Sequence, residues 1–251
     1  MKHIVRAAVL AVMLGALAPA IRADELWNNG PMITHAGGMS NGADRSAIGT
    51  GGTLFGFGVQ QTAGNRMADD FSVGGLGWFV DSIRLFTYQT GSSTTSTLTG
   101  VTLRIWDGLP QASNLVWGDE TTNVLAATGF TNIYRTTGTV NNDFNRPIMF
   151  VDINLGGLNL GPGTYYLDWS LSGSLASGPW APPVADPSNV LIAGNALQRV
   201  GAAGVYNPAL DGTTQMALPF IINGTAIVIP EPATGALLIG LLGMFAVRRR
   251  K

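Results

Sequence analysis

Residues 164–171, TYYLDWSL, decide the fold class. Tyr165, Leu167, Trp169 and Leu171 fall on one side of an extended chain and Tyr166, Asp168 and Ser170 on the other, the two-residue period of a strand with one face in a core. The same period runs through GVTLRIW, where Val101, Leu103 and Ile105 oppose Thr102, Arg104 and Trp106, and through MFVDINL, where Met149, Val151, Ile153 and Leu155 share a face. On this reading Asp168 and Trp106 point away from the core. Further strands are expected over 66–73, 78–88, 114–117, 130–136, 189–193 and 216–223, separated by turn-rich stretches such as TGSSTTST and NNDFN. No sustained helical period interrupts them. The body of the chain is therefore expected to be all-β, a two-sheet sandwich of jelly-roll type in preference to a barrel.

Two stretches resist this pattern. The glycine-rich segment from Gly30 to Gly64 suits either an ordered strand-and-loop region or a loosely attached arm. SLASGPWAPPVADP, residues 174–187, holds Pro179, Pro182, Pro183 and Pro187 and must be a long connection, of the kind that is often functional.

The two ends differ from the body. Lys2, His3 and Arg6 precede an apolar run from Ala7 to Ala18, followed by small residues at Ala18, Ala20 and Ala23. This is the three-part layout of a secretory signal peptide, so 1–23 is assigned to a leader cut after Ala20 or Ala23 by signal peptidase, with export machinery as the implied partner. At the other end, Ala233 to Val247 contains no charged residue and only Thr234 as a polar one, between Pro230-Glu231-Pro232 and Arg248, Arg249, Arg250 and Lys251. A helix this apolar on all sides wants lipid around it, and the basic cluster orients it with the body on the far side of the membrane. At 1.5 Å per residue it reaches only about 22 Å against about 30 Å of hydrocarbon, a marginal anchor. The expected organisation is a leader over 1–23, an exported β domain over 24–229 and a tail with a single apolar helix over 230–251.

The order of Pro230, Glu231 and Pro232, a short apolar helix and a terminal arginine cluster resembles the PEP-CTERM sorting signal of exopolysaccharide-producing Gram-negative bacteria. The resemblance implies that an exosortase-like transpeptidase of the membrane recognises the tail and cuts near the tripeptide, so that Glu231 is a substrate position of another enzyme. It also implies transient anchoring after passage across the inner membrane, then residence at the cell surface or in the extracellular polysaccharide matrix of a biofilm. More loosely, 68–93, 98–108 and 172–184 resemble a β domain of secreted bacterial proteins that carry various sorting tails, which implies a portable extracellular module and transfers no catalytic residue.

Composition narrows the function of the body. Between Asp24 and Ile229 there are seven arginines, no lysine and fourteen acidic residues, a formal charge near −7 that repels phosphate backbones and argues against nucleic acid as a partner. The absence of cysteine removes disulfides, thiol catalysis and thiolate metal sites together. Gly38, Ser40 and Gly42 have the spacing of a hydrolase nucleophile elbow, but His35 precedes the serine and the only other histidine, His3, lies in the leader. Oxygen ligands leave structural calcium open at Asp69 with Asp70, or at Asn141, Asn142 and Asp143; no cofactor and no other metal is expected. Among Glu25, Asp119, Glu120 and Asp168 nothing marks a glycosidase pair.

The aromatic residues offer the better lead. Trp106, Trp117 and Trp180 are candidate sugar-binding rings, because pyranose C–H faces stack on flat π systems while nearby polar groups bond the hydroxyls; the other reading is that the second layer of a sandwich or a covering loop buries them. The sequence thus reads as a non-catalytic exported surface or matrix protein. The alternatives are a carbohydrate-binding module for exopolysaccharide and, behind it, a polysaccharide-degrading enzyme.

Overall fold

The computed structural model describes residues 24–228. The proposed leader, the Pro230-Glu231-Pro232 tripeptide, the apolar helix and the cluster from Arg248 to Lys251 lie outside the described residues. Within them the chain is all-β, with strands β1 Asp24–Asn28, β2 Asp44–Ala47, β3 Phe57–Gly58, β4 Arg66–Val73, β5 Trp78–Thr87, β6 Leu98–Trp106, β7 Leu115–Gly118 and β8 Leu125–Thr136. There follow β9 Pro147–Leu160, β10 Gly163–Gly173, β11 Trp180–Ala181, β12 Leu197–Arg199, β13 Tyr206–Pro208, β14 Leu210–Asp211, β15 Thr214–Gln215 and β16 Phe220–Ala226. One 3-10 turn over Gln61–Ala63 is the sole helical element among the described residues, and no helix there is long and apolar enough to cross a membrane.

Two six-stranded sheets carry the fold, one in the order β1-β16-β5-β9-β8-β2 and the other β13-β12-β4-β10-β6-β7. Every pairing is antiparallel except β2 with β8. Leu167, Trp169 and Leu171 of β10 pack with Val101, Leu103 and Ile105 of β6 and with Met149, Val151 and Ile153 of β9 in one core shared by both sheets. The alternation read from the sequence therefore sets the inner face as expected. In β5 the rhythm slips: Trp78 and Val80 point inward, then Ile83 and Leu85, because a bulge between Val80 and Ser82 inserts one residue and resets the faces.

The expected strand over 189–193 does not form as a ladder. Val190, Leu191 and Ala193 make isolated bridges to three different partners, Thr50, Ala185 and Met216, and Asn189 takes a left-handed φ of 57° that breaks the extended run. Strands β1 and β2 are short and polar, and no apolar alternation announces them.

The glycine-rich stretch is an ordered part of the body, held from two sides. Arg135, only 2% exposed, donates to the carbonyls of Phe55 (2.9 Å), Ala47 (3.1 Å) and Leu54 (3.2 Å) and to Ser46 Oγ (3.1 Å). Burial pulls its pKa down to about 10, which leaves the guanidinium charged at neutral pH. From the other side the Asp211 carboxylate accepts from Thr53 N (3.0 Å), Thr53 Oγ1 (2.8 Å) and Leu54 N (3.2 Å). Gly52 makes this approach feasible, since a β-carbon there would lie 2.8 Å from Asp211 Oδ2 and 2.7 Å from Leu191 Cδ2. Arg135→Ala strands one buried and two part-buried carbonyls, and urea unfolding is expected to show a loss of about 3 kcal/mol, with new protease cleavage inside 46–56.

Asp69 breaks the apolar rule of the inner face. It sits between Met67 and Phe71 with no solvent exposure, and its carboxylate accepts from Asn29 Nδ2 (2.9 Å), Leu218 N (2.7 Å) and Asp70 N (3.0 Å). One side chain of the second sheet thereby ties down the chain just after β1 and just before β16, both in the first sheet. Burial raises its pKa to about 7, against the opposing pull of the N–H donors. A group raised on folding holds its proton in the native state while the unfolded chain has lost it, so the contribution to stability is present in acid and is lost as pH rises toward 7. His35, lowered by burial and by Arg45, acts in the opposite sense over the same range. Comparison with Asp69→Asn isolates the aspartate: between pH 5 and 8 the melting temperature of the variant relative to wild type is expected to rise with pH.

Candidate functional site

The outer face of the second sheet, expected to be wet, is covered. Arg66 of β4, Thr102, Arg104 and Trp106 of β6 and Asp168 and Ser170 of β10 all project there and all are buried. The cover comes from the β7–β8 loop, which brings Glu120, and from β12 and β13, which bring Arg199 and Tyr206. Asp168 has no exposure and receives Arg66 Nε (2.5 Å), Arg104 Nε (2.7 Å) and Trp106 Nε1 (3.0 Å). Arg66 also donates to Thr102 Oγ1 (2.9 Å), while Arg104 pairs with Glu120 through Nη1. Arg199 closes the network with a two-pronged pair to Glu120 at 2.8 and 3.0 Å. Sequence reasoning placed Asp168 and Trp106 on the correct side of their strands and allowed for a cover over Trp106, without identifying the residues that form it.

This network settles the roles of three candidates. Trp106 is not a free platform, because it is 8% exposed, its N–H is bonded to Asp168, and the Arg104 guanidinium lies 4.9 Å from the ring centre. Asp168 and Glu120 are joined through Arg104, which contacts both. Hydrogen bonding from Arg199, aided by the charge of Arg104, takes Glu120 down to about 2. Asp119 turns back onto Thr121 and Thr122, accepting from both backbone N–H groups and the Thr121 hydroxyl through Oδ1 and the Thr122 hydroxyl through Oδ2, which holds it well below the carboxylate range. Glu25 is exposed and accepts from Asn28. Ser40 is exposed in a turn without the strand before it and helix after it that an elbow needs, and His35 bonds Thr34 Oγ1 at 2.8 Å.

Asp69 and Asp70 are consecutive on a strand and point to opposite faces, and Asp143 accepts from Arg146 Nη1 (2.7 Å). Among the described residues no group of three or more His, Cys, Asp or Glu side chains is placed to hold a metal ion.

Trp117 lies on the edge strand β7 opposite Ile105, half-buried against the main core. Trp180 is placed differently. Its backbone is pinned on both sides, by Tyr88, with Trp180 N donating to Tyr88 O at 2.9 Å and Tyr88 N to Trp180 O at 3.0 Å, and by Gly58 of β3. Thr87 Oγ1 adds a bond to Trp180 O at 2.9 Å. The proline-rich connection is thus a fixed element at this point. The half-buried indole borders two clefts. One, about 270 Å³, is lined by Phe55, Tyr88, Thr90, Arg146 and Ser177; the other, about 460 Å³, by Gln60, Thr62, Ser172 and Leu175. No carboxylate lines either.

Tyr88 is the residue that sequence reasoning had no means to single out. It reads as the last position of a strand, and its pairing with Trp180 spans 92 residues of chain. Its side chain is 2% exposed and lines the smaller cleft, and burial holds the phenol well above its ordinary pKa. Arg146, read only as part of a turn, stacks its guanidinium 3.7 Å from the Phe55 ring centre beside this hydroxyl. The chain matches no protein-family model and no curated protein.

Two substitutions separate the buried network from surface pairing. Asp168→Asn leaves Arg66 without an anionic contact and is expected to cost about 3–5 kcal/mol in chemical unfolding. Asp152→Asn breaks the Arg84 pair (2.7 and 2.8 Å), whose side chains are 41% and 26% exposed, and is expected to cost about 1 kcal/mol or less.

Proposed function

We propose that this chain is an exported, non-catalytic surface or extracellular-matrix protein whose tail, from Pro230 to Lys251, is read by an exosortase-like transpeptidase. The single observation in the fold that supports this reading is the pairing of Asp24 with Gly224 and of Trp78 with Ala226. Both ends of the body leave from one pole, next to the segments assigned to export and sorting. A domain delivered in this way hangs from the membrane by one end and is freed by a cut at that end. Among the described residues one core spans both sheets, and the strand before the tail is stitched between β1 and β5, which supports a body that holds together after such release.

The finer fold assignment is a two-sheet sandwich of jelly-roll type. The chain passes from one sheet to the other between β4 and β5, β5 and β6, β7 and β8, and β9 and β10, and this repeated crossing supports it. The absence of a carboxylate from both clefts at Trp180, and the ionised state of Glu120, favour binding or structural roles over polysaccharide degradation.

In the native host, Glu231→Ala is expected to keep the protein uncut in the membrane fraction, while wild type is recovered as a shorter product whose mass shows removal at both ends. Normal processing of the variant overturns the assignment of the tail.

A further inference from the structure

We infer that the two clefts flanking Trp180 bind consecutive pyranose rings of a polysaccharide, with the indole as the stacking surface between them. The inference rests on the exported reading only for where the polymer is met; the binding itself stands on the following geometry.

A sugar platform must be rigid, flat and reachable. Three backbone and side-chain bonds from Tyr88 and Thr87 fix the Trp180 main chain, so little order remains to be imposed when a ligand arrives. The pyrrole edge of the indole lies against Gly178, where an added β-carbon would fall 2.7 Å from Cδ1 and 2.9 Å from Nε1. That contact restrains the ring from one edge, and the ring borders a cleft of about 270 Å³ and another of about 460 Å³.

The polar groups in the smaller cleft match a polyhydroxyl ligand. The Tyr88 hydroxyl belongs to a residue that lines this cleft, and no hydrogen bond to another protein group among the described residues occupies it. Held neutral by burial, it can both donate and accept, as a sugar hydroxyl requires. Thr90 and Ser177 offer further hydroxyls on the same walls. Arg146 is oriented by Phe55 and by Asp143 at Nη1, which leaves Nε and Nη2 to donate to hydroxyl or ring oxygens, or to a uronate carboxylate. In the larger cleft Gln60, Thr62 and Ser172 continue the polar lining.

Other ligand classes fit less well. Phosphorylated ligands would meet a single arginine that already has an acidic partner, on a body of formal charge near −7. A purely apolar ligand would leave the Tyr88 hydroxyl and the Arg146 nitrogens unpaired. With no carboxylate at hand, the bound chain is held and not cut.

Position agrees with this role. Trp78, beside the departing ends, and Thr87, beside Trp180, are the first and last residues of β5, about 30 Å apart along an extended strand. The cleft therefore faces away from the pole by which the domain is tethered.

The test is calorimetric titration of the full-length chain, in a non-glycosidic detergent, with a neutral β-linked glucose hexasaccharide and with a uronate hexasaccharide. Binding of at least one is expected, weakened about tenfold or more by Trp180→Ala and less by Trp180→Phe, which keeps a flat face. Tyr88→Phe is expected to weaken binding severalfold while leaving the melting temperature unchanged, because Tyr88 lines the cleft and its ring, which packs the interior, is kept. Preference for the uronate identifies Arg146 as a carboxylate contact; preference for the neutral chain assigns recognition to the hydroxyls. Binding of neither polymer, or binding that survives Trp180→Ala in a variant that melts like wild type, overturns the inference. Processing at Glu231 is untouched by these variants, so its failure and this one are read separately.

Discussion

A carboxylate without water contact sits at the centre of the second sheet, and the arrangement around it depends on that one group. Moving Asp168 out of water is costly, and the cost is offset only if donors converge from several directions. They come from β4, β6 and β10's own neighbours in register: Trp106 pairs with Tyr166 and Arg104 with Asp168 across one edge of β10, Ala68 with Asp168 across the other. Arg66, Arg104 and Trp106 can reach the carboxylate only if these three strands hold that register. A slip of one residue would turn Asp168 into the apolar core and Trp169 out under the arginines, so the buried charge specifies alignment as much as it contributes stability.

The surplus of positive charge then recruits the lid. Arg66 and Arg104 against one carboxylate leave a cation to be answered, and Glu120 answers it from the β7–β8 loop while accepting both prongs of Arg199 from β12. Strand β12, only three residues long and next to the edge strand β13, is thus anchored to the sheet by an ion pair as well as by its ladder to β4. Exposed pairs such as Arg84 with Asp152 have no such consequence, because solvent answers their charges as readily as the partner does.

What the sequence disclosed follows from the same distinction between direction and cover. A two-residue period reports which side of a strand a residue faces, and for TYYLDWSL, GVTLRIW and MFVDINL it located the core face directly. It carries no information about what lies over the other face. The lid is assembled from positions 120, 199 and 206, brought in by long connections, so Asp168 and Trp106 read as solvent-facing. The site at Trp180 was half legible for a related reason. A tryptophan among prolines marks a non-regular segment with something to present, but Tyr88, Phe55 and Arg146 come from three distant stretches whose convergence no local pattern encodes. The glycine-rich segment was ambiguous because glycine permits both order and disorder; Arg135 and Asp211, remote in sequence, decide in favour of order.

The separation of the pole at Trp78 from the cleft at Trp180 has a structural cause in β5 and its neighbours. β5 runs the length of the first sheet, paired with β16 on one side and β9 on the other, so its two ends are held apart by a ladder that cannot bend without breaking either pairing. One end carries Trp78, paired with Ala226 and packed in the core, next to which both chain ends depart. The other passes into Tyr88, which grips Trp180 through two backbone bonds. A strain applied at the departing ends is shared along the sheet through parallel rows of hydrogen bonds, and the bonds that hold the cleft lie in the last row to feel it. The same strand that closes the core between β9 and β16 therefore separates the pole where Asp24 and Ala226 lie from the cleft beside Trp180.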